Sequence, residues 1–238
     1  MESLTNNRLL RFKEIGYLTL ISLLMNWSVA AAYTGDLEEG DVTVDGLTVI
    51  MSSASTEKQI KKDVRWSDYG KYQIAPVEVS FRKDWKQDYN RDQKILLRRV
   101  TDEDMARIRK TIGRIVFEEF HEALKNRAGL KEAAEADSST LLFKPRIINL
   151  DLYAPDVGGS PGIDRTYARQ FLQATLFLEV YDAVSGEILA RWVDTRKDPD
   201  YGYFDWANRI TNAERARIVV RSWTKRMVEG LEKLRTGQ

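Results

Sequence analysis

The sequence predicts an α/β (α+β) fold in which two main helices cover one face of a four-stranded mixed sheet. Two kinds of pattern support this prediction. In four short segments apolar and polar residues alternate, which is the period of a strand, and in two longer segments apolar residues recur at helical spacing. The elements follow in the order β-α-β-β-β-α. A right-handed crossover through the first helix makes the first two strands parallel, and the other strands are expected to be antiparallel.

The first strand and the first helix are predicted between residues 74 and 127. Residues 74–81 alternate and form the first strand. Thr101 and Asp104 stand at the spacing of a capping box, so the helix begins at Thr101. It is expected to end near Arg127, before Gly129.

The remaining strands are predicted at residues 141–153, 169–182 and 188–195. Pro145 has no amide donor, so the second strand either begins there or lies at an edge. A hairpin turn joins the last two strands, and Gly186 is free to take a positive φ in it.

The last helix is predicted to begin near Asn212, because Thr211 and Glu214 fit a capping box. It carries an apolar stripe over about six turns, which requires burial against the sheet. The stripe consists of Ala213, Ala216, Val219, Val220, Trp223, Met227, Leu231 and Leu234.

The first 32 residues predict a secretory signal peptide. Basic residues open the segment, residues 15–32 carry no charge, and small residues end it. Cleavage is expected between Ala32 and Tyr33, with a cut after Ala30 as the alternative, which gives a periplasmic protein. An uncleaved leader would instead anchor the chain in the inner membrane through residues 15–32, whose 18 uncharged residues are close to the minimum for a spanning helix.

The rest of the chain is predicted to consist of two parts. Residues 33–65 are polar and rich in turns, and we expect an extended N-terminal arm that packs on the body. Residues 66–238 are expected to form a single α/β domain around one core.

Charge and cysteine content exclude several functions. The leader holds three of the 37 basic and two of the 36 acidic residues, which leaves 34 of each. A formally neutral mature chain has no electrostatic footprint for nucleic acid. The absence of cysteine removes disulfides, thiolate chemistry, cysteine metal sites and the lipid-modified cysteine of bacterial lipoproteins. No cofactor is expected.

Two residues of the first helix, His121 and Glu119, are candidates for a functional role. His121 is the only histidine and falls on the side away from the apolar stripe, so we expect it to be exposed. Ser-His-Asp and zinc sites are therefore not predicted. Glu119 falls near the centre of the stripe. It is expected to pair with a buried arginine or to snorkel at the helix end, and the functional alternative is a carboxylate working in a cleft.

The densest candidate for a functional site is the segment 194–206, between the last strand and the last helix. Asp198 and Asp200, followed by Gly202, faintly resemble a calcium loop but lack the further ligands of an EF-hand. These two residues and Asp205 are therefore weak metal-ligand candidates. The segment contains the carboxylates Asp194, Asp198, Asp200 and Asp205 and the aromatic residues Tyr201, Tyr203, Phe204 and Trp206.

Other interpretations of this segment stay open. A carboxylate pair for sugar hydrolysis can be drawn from it. The structural alternative is a polar loop pinned to the sheet by its aromatic residues, with Asp194 and Arg196 as an ion pair.

The remaining motifs have plain structural interpretations. The glycine-rich residues 157–162 do not open a helix and lack the end of a phosphate loop, so they predict a flexible turn. The strand aromatics are expected to be core, unless helices leave one sheet face exposed as a partner surface. These aromatics are Phe171, Phe177, Tyr181 and Trp192.

Ten residues spread over most of the mature chain stand in a characteristic order. They are Tyr72, Pro76, Val77, Asp182, Gly186, Glu187, Asp194, Arg196, Trp206 and Trp223. Their order and spacing, within residues 66–234, resemble domain-of-unknown-function family 3313, a group of bacterial envelope proteins of which many are predicted lipoproteins. The chain lacks the lipid-anchoring cysteine of most relatives, and its loop at residues 154–168 is shorter and more polar than theirs. The resemblance implies an envelope location, an α/β fold and structural roles for these residues. It implies no reaction.

Together these observations predict an exported envelope protein without catalytic residues, which acts as a non-enzymatic binding or assembly module. Its partner is expected to be another envelope protein or a glycan, bound through the sheet or the aromatic loop. The alternative is a carboxylate-based periplasmic hydrolase that acts on envelope polysaccharide. Membrane contact is expected only if the leader is not cleaved.

Overall fold

The computed structural model describes residues 37–94, 96–157 and 166–237. The predicted signal peptide with its cleavage site at Ala32 and Tyr33, and the glycine-rich residues 158–162, lie outside the described residues. The described chain is a mixed α/β protein, as predicted, with three α-helices and a large mixed sheet of eight strands. The prediction of a four-stranded sheet was therefore wrong.

The elements follow in this order: β1 (Thr48–Ser52), β2 (Thr56–Ile60), β3 (Lys71–Ile74), β4 (Glu78–Phe81), α1 (Trp85–Arg91), α2 (Asp102–Glu122), β5 (Lys131–Glu132), β6 (Thr140–Leu152), β7 (Tyr167–Ala168), β8 (Leu172–Asp182), β9 (Ile188–Lys197), β10 (Asp205–Trp206) and α3 (Arg209–Thr236). The large sheet has the strand order β1-β2-β9-β8-β6-β3-β5, and β4 also pairs with β6. β7 and β10 form a separate antiparallel ribbon. The predicted directions are confirmed, since β3 and β4 run parallel to β6 while β8 runs antiparallel to both β6 and β9.

The segment predicted as an N-terminal arm contributes two strands to the sheet. β2 pairs with β9, and β1 lies outside β2 as an edge strand. The sequence of β2, Thr-Glu-Lys-Gln-Ile, lacks the apolar alternation of a strand, yet Glu57 and Gln59 are buried. Polar side chains that bond to each other within a sheet leave no hydrophobic period, which is why the sequence pattern missed this strand.

The single strand predicted at residues 74–81 is divided into β3 and β4, with Pro76 in the gap. Pro145 of β6 lies beside this gap, because β3 pairs up to Phe143 and β4 resumes at Arg146. The carbonyl of Phe143 accepts from Ala75 at 2.9 Å, so the backbone of Pro145, two residues on, faces the same side. The missing amide of Pro145 therefore costs no ladder bond, and the proline lies inside a central strand rather than at its start or at an edge.

The helix ends show one prediction confirmed and one wrong. The Thr101–Asp104 capping box is present, and α2 continues into a π-helical turn at Ala123–Arg127 before Gly129 takes a φ of 66°. α3 begins earlier than predicted, because the side chain of Asn208 accepts from the amides of Ile210 and Thr211 at 2.8 and 3.1 Å. Asn208, rather than Thr211, is thus the N-cap.

The main core lies between the two long helices and one face of the sheet. Val116 of α2 and Trp223 of α3 are buried there against Leu176 and Leu178 of β8. Two helices on one sheet face is the predicted packing. Within the described residues, every helix is too short or too polar to span a bilayer.

Glu119 lies at the contact between α2 and α3. It is buried and accepts hydrogen bonds from Arg217 at 3.2 Å and from Arg221 at 3.1 Å. Of the two structural expectations for Glu119, pairing with arginine is the one found, although Arg217 is partly exposed and Arg221 is exposed rather than buried.

Candidate binding surface

Asp198 fixes the point at which the chain leaves β9. It is 1% exposed, and its Oδ1 accepts hydrogen bonds from the amides of Phe171 at 2.7 Å and Leu172 at 3.0 Å. Its own amide donates to the carbonyl of Leu172 at 3.0 Å. The reciprocal bonds tie the start of the 198–206 loop to the start of β8.

The electrostatic setting of Asp198 differs from that of the other carboxylates in the loop. Burial raises the pKa of Asp198, while the two amides and the positive charge of Arg215 oppose that shift. Asp200 is exposed, and the pKa of its carboxyl is lowered, first by the amide of Gly202 and then by Arg169. The two aspartates therefore do not behave as a matched pair.

Asp200 shapes the tip of the loop. Its Oδ1 accepts from the amide of Gly202 at 2.8 Å and from Nε of Arg169 at 3.1 Å. Gly202 has a φ of 82°, a left-handed conformation that favours glycine. Asp200 thus closes a local turn and joins the loop to the residue that follows β7.

Arg215 of α3 anchors the 198–206 loop through one ion pair and contacts with two rings. Its side chain is buried, and Nη2 donates to Asp205 at 2.7 Å. The guanidinium carbon lies 5.2 Å from the ring centre of Phe171 and 4.6 Å from that of Tyr201, so the cation lies against both rings. Phe171 packs with Ala154 and Ala207 in a small second core.

Five aromatic side chains of this region remain exposed. Their exposed fractions lie between 46% for Trp206 and 67% for Phe204, and the set is Tyr167, Tyr201, Tyr203, Phe204 and Trp206. We call these five residues the aromatic surface. Tyr167 and Trp206 are register partners in the β7–β10 ribbon, so their side chains share one face. The rings of Tyr201 and Tyr203 are stacked with centres 6.1 Å apart.

Each of the four aspartates predicted as site residues is engaged by a different partner. Asp194 is fully buried and bonds to Thr56 at 2.5 Å and to Arg196 at 2.7 Å, which is the expected ion pair. Asp198 bonds to backbone amides, Asp200 to Gly202 and Arg169, and Asp205 to Arg215. No two of these carboxylates share a partner in these contacts, whereas a calcium site brings several oxygens to one ion.

Within the described residues, no three His, Asp or Glu side chains are grouped to hold a metal ion. The weak metal candidates Asp198, Asp200 and Asp205 form no such group.

The hairpin residues of the family-like set have structural contacts. The carboxylate of Asp182 accepts from the amide of Ser185 at 2.7 Å and from the hydroxyl of Tyr69 at 2.8 Å. Gly186 has a φ of 72°, as the turn requires, and Glu187 forms an ion pair with Lys61 of the segment after β2. Burial and the bond to Asp182 raise the pKa of Tyr69 to about 12.

The other members of the set are spread over the fold. Pro76 and Val77 lie in the gap between β3 and β4, and Trp223 is buried in the main core. Trp206 belongs to the aromatic surface. Tyr72 is buried with its hydroxyl 3.1 Å from Nδ1 of His121.

The prediction that His121 is exposed was wrong. The ring is half-buried between Tyr72 and Phe117. It stacks on the ring of Phe117, with the two ring centres 6.1 Å apart. Tyr72 of β3 contacts His121 at the side of α2. Helical periodicity alone does not predict a contact of this kind, because it comes from another element.

Two of the four aromatics expected in the core belong to it, while Tyr181 is half-buried. Trp192 lies in the main core and Phe171 in the second core. Phe177 is on the face opposite the helices but is buried, with the guanidinium of Arg146 4.3 Å from its ring centre and that of Arg191 5.8 Å away. Arg191 also pairs with Glu179 and with Asp45 of the segment before β1. This face therefore does not present the strand aromatics as an exposed patch.

Three residues of the site were not predicted from the sequence. They are Arg215 of α3, Tyr167 of β7 and Arg169, which follows β7. A charged residue at position 215, next to Ala216 of the apolar stripe, is the one sequence signal that pointed to a buried arginine.

The chain has only weak similarity to known proteins. No protein-family model and no curated protein matches it. The similar solved structures include a PelC dodecamer from Paraburkholderia phytofirmans, with 8% identity, a TM-score of 0.36 and coverage of 71% of this chain and 95% of that chain. They also include a putative lipoprotein from Caulobacter crescentus CB15, with 14% identity, a TM-score of 0.31 and coverage of 72% and 93%. A PDZ domain protein from Parabacteroides distasonis has 11% identity, a TM-score of 0.35 and coverage of 71% and 34%. TM-scores this low do not establish a shared fold.

Proposed function

We propose that this chain is exported to the bacterial envelope and acts there as a non-enzymatic binding or assembly module, with the aromatic surface as its contact site. Export is supported by the leader pattern of residues 1–32. The order of the motif residues that resemble family 3313 supports the envelope location, and membership of that family is part of the same proposal.

The observation that carries the proposal is the exposure of five aromatic rings on a loop that is itself well anchored. Fully burying a large apolar side chain stabilises a protein by about 1.5–3 kcal/mol. These rings are about half exposed, so they contribute less than that to the stability of the fold. Asp198 and Arg215 are buried and hold the loop in place. Tyrosine, tryptophan and arginine are also the residues that dominate binding energy in interfaces. A rigid loop that displays rings in this way is suited to binding.

The hydrolase alternative has less support. It needs two available carboxylates that flank one substrate bond. Asp194 and Asp198 are buried, and Asp200 and Asp205 are each engaged by an arginine. The surface fits recognition better than bond cleavage.

Either fate of the leader leaves the described unit on the periplasmic side. Cleavage between Ala32 and Tyr33 gives a periplasmic protein, and retention of residues 15–32 gives one tethered to the inner membrane. The N-terminal peptide of protein isolated from cells, read by mass spectrometry, decides between them.

Site-specific photo-crosslinking in the native bacterium tests the binding proposal. The full-length chain carries p-benzoylphenylalanine in place of Phe204, and the control carries it in place of Val184, which is 63% exposed in the β8–β9 hairpin. We expect a discrete adduct at position 204 and none at position 184. Equal labelling at the two positions, or no adduct at either, would contradict the aromatic surface as the contact site.

A further inference from the structure

Three arginines of the described residues around the aromatic surface are paired with carboxylates. Arg169 bonds to Asp200 at 3.1 Å, Arg215 to Asp205 at 2.7 Å and Arg209 to Asp156 at 3.4 Å. Cations that already have carboxylate partners offer little to an anionic ligand, and the paired carboxylates offer little to a cation. These three pairs therefore favour a ligand without net charge.

Two buried polar atoms beneath the surface have unused hydrogen-bonding capacity. Oδ2 of Asp198 and Nη1 of Arg215 are both inaccessible to solvent, and neither is bonded to a described residue. Both side chains contact Phe171, since Asp198 accepts from its amide at 2.7 Å and the guanidinium carbon of Arg215 lies 5.2 Å from its ring centre. The same guanidinium carbon lies 4.6 Å from the ring centre of Tyr201. Leaving buried polar atoms unpaired is unfavourable. A hydroxyl group satisfies both atoms, because it donates to the carboxylate and accepts from the guanidinium.

We propose that the aromatic surface binds a neutral polysaccharide. The exposed rings stack on the apolar C–H faces of successive sugar units, and one sugar hydroxyl joins Asp198 to Arg215 once the side chain of Tyr201 turns outward. Water supplies the same hydroxyl chemistry when no sugar is bound.

A neutral glycan fits these observations better than the other classes of partner. A lipid surface would use the rings but not the buried donor and acceptor, and it favours unpaired lysine or arginine. A protein partner would bury the rings without a need for a free hydroxyl. Sugars combine apolar faces with hydroxyls that both donate and accept, which matches the two features together.

The inference rests on the proposed function, and one experiment separates their failures. The full-length chain carrying p-benzoylphenylalanine in place of Tyr203 is irradiated in cells and purified through a C-terminal tag. Half of the adduct is oxidised with periodate and labelled with a hydrazide, which detects sugar diols, and half is digested for peptide mass spectrometry.

We expect a diol-positive adduct that yields peptides of this chain alone. A diol-negative adduct containing a second protein or a phospholipid overturns the glycan inference and leaves the proposed binding function intact. Absence of an adduct above the level of the Val184 control overturns both.

Affinity electrophoresis tests the residues. Native gels contain the polysaccharide extracted from the envelope of the same bacterium, and the mobility of the full-length chain gives its dissociation constant. We expect the double variant Tyr203→Ala, Phe204→Ala to bind at least about tenfold more weakly. Phe117→Ala removes an aromatic side chain, 41% exposed, on α2 away from the surface, and it should bind as the parent does. An equal loss in both variants, or a loss in neither, overturns the surface assignment.

Asp198→Asn distinguishes a sugar hydroxyl from a permanent water molecule. The amide keeps an acceptor for Phe171 and Leu172 but removes the charged acceptor from the pair with Arg215. We expect affinity to fall about threefold to tenfold, with near-UV circular dichroism unchanged. Unchanged affinity in a folded variant means that water alone occupies the position, and it overturns the assignment of the hydroxyl. If the variant does not fold, Arg215→Lys and Asp205→Asn are measured in the same gels. Both substitutions weaken the bond between positions 215 and 205, but only the lysine variant also loses Nη1, so we expect the larger loss of affinity there, and equal losses overturn the assignment of the hydroxyl.

Discussion

The guanidinium of Arg215 lies 4.6 Å from the ring centre of Tyr201 and donates to Asp205 on the same loop. One buried cation thus orders both the middle and the end of the 198–206 segment. Its position on α3 makes the aromatic surface depend on how the last helix packs against the sheet.

Arg215→Ala should destabilise the protein by about 2–4 kcal/mol, because it removes a buried cation from a carboxylate and two rings. The measurement is the free energy of unfolding from urea titration followed by circular dichroism. Arg209→Ala is the matched control on the same helix, since Arg209 is exposed and its pair with Asp156 is at the surface. A change below about 0.5 kcal/mol is expected there. Similar changes in the two variants would contradict the role assigned to Arg215.

Asp198→Asn should alter how stability depends on pH. Burial raises the pKa of Asp198 in the folded state above its ordinary value of about 3.9. A carboxyl group shifted in this direction stabilises the fold at low pH, and that contribution is lost as the pH rises through the folded pKa. The free energy of unfolding of the variant, relative to the parent, should therefore increase as the pH rises from about 4. A relative stability that falls over this range would contradict the raised pKa.

Glu119→Gln should destabilise the contact between α2 and α3 by about 1–3 kcal/mol, because Arg217 and Arg221 lose a shared and buried carboxylate. Glu229→Gln is the control, since Glu229 is exposed and its pair with Lys225 is 4.0 Å long. Urea unfolding of both variants at low and high salt provides the measurement. If Glu119→Gln lowers the free energy of unfolding no more than Glu229→Gln does, the ion pairs of Glu119 contribute no more than an exposed surface pair.

Tyr69→Phe should remove one hydrogen bond and cost about 1 kcal/mol at neutral pH. The pKa of Tyr69 is raised to about 12, first by burial and then by its bond to Asp182. A raised folded pKa gives stability that is complete below the ordinary tyrosine value of about 10 and is lost as the pH rises through 12. The parent should therefore lose more stability than the variant over this interval. Thermal unfolding at a series of alkaline pH values measures the difference, and parallel curves would argue against the shift.

The parts of the fold that could be predicted are those set by local chemistry. The Thr101–Asp104 capping box, the glycine turn at position 186 and the alternation in β8 each depend on residues close in sequence. The split between β3 and β4 was not predicted, because the gap that contains Pro76 is set by the register of these strands against β6, in which Pro145 lies beside the gap. The N-cap at Asn208 was missed because a second capping pattern stood three residues later.

The candidate site divides in the same way. The sequence predicted a candidate site at residues 194–206, because aspartates and aromatic residues are concentrated there. The chemistry of these residues limited the possible functions to partner binding, calcium binding or hydrolysis. The carboxylates of Asp198, Asp200 and Asp205 are engaged by Phe171, Arg169 and Arg215, which lie on other segments of the chain. The sequence pattern does not reveal these contacts.

By itself, the sequence determined the mixed α/β class and the parallel and antiparallel directions of its main strands, since both follow from local periodicity and from the order of the elements. Only the tertiary structure decided that the polar segment before residue 65 completes the sheet and that the loop aspartates act separately. The physical reason is that hydrogen bonds and cation–ring contacts between distant segments leave no periodic trace in the chain. The same contacts hold five aromatic rings at the surface of the protein.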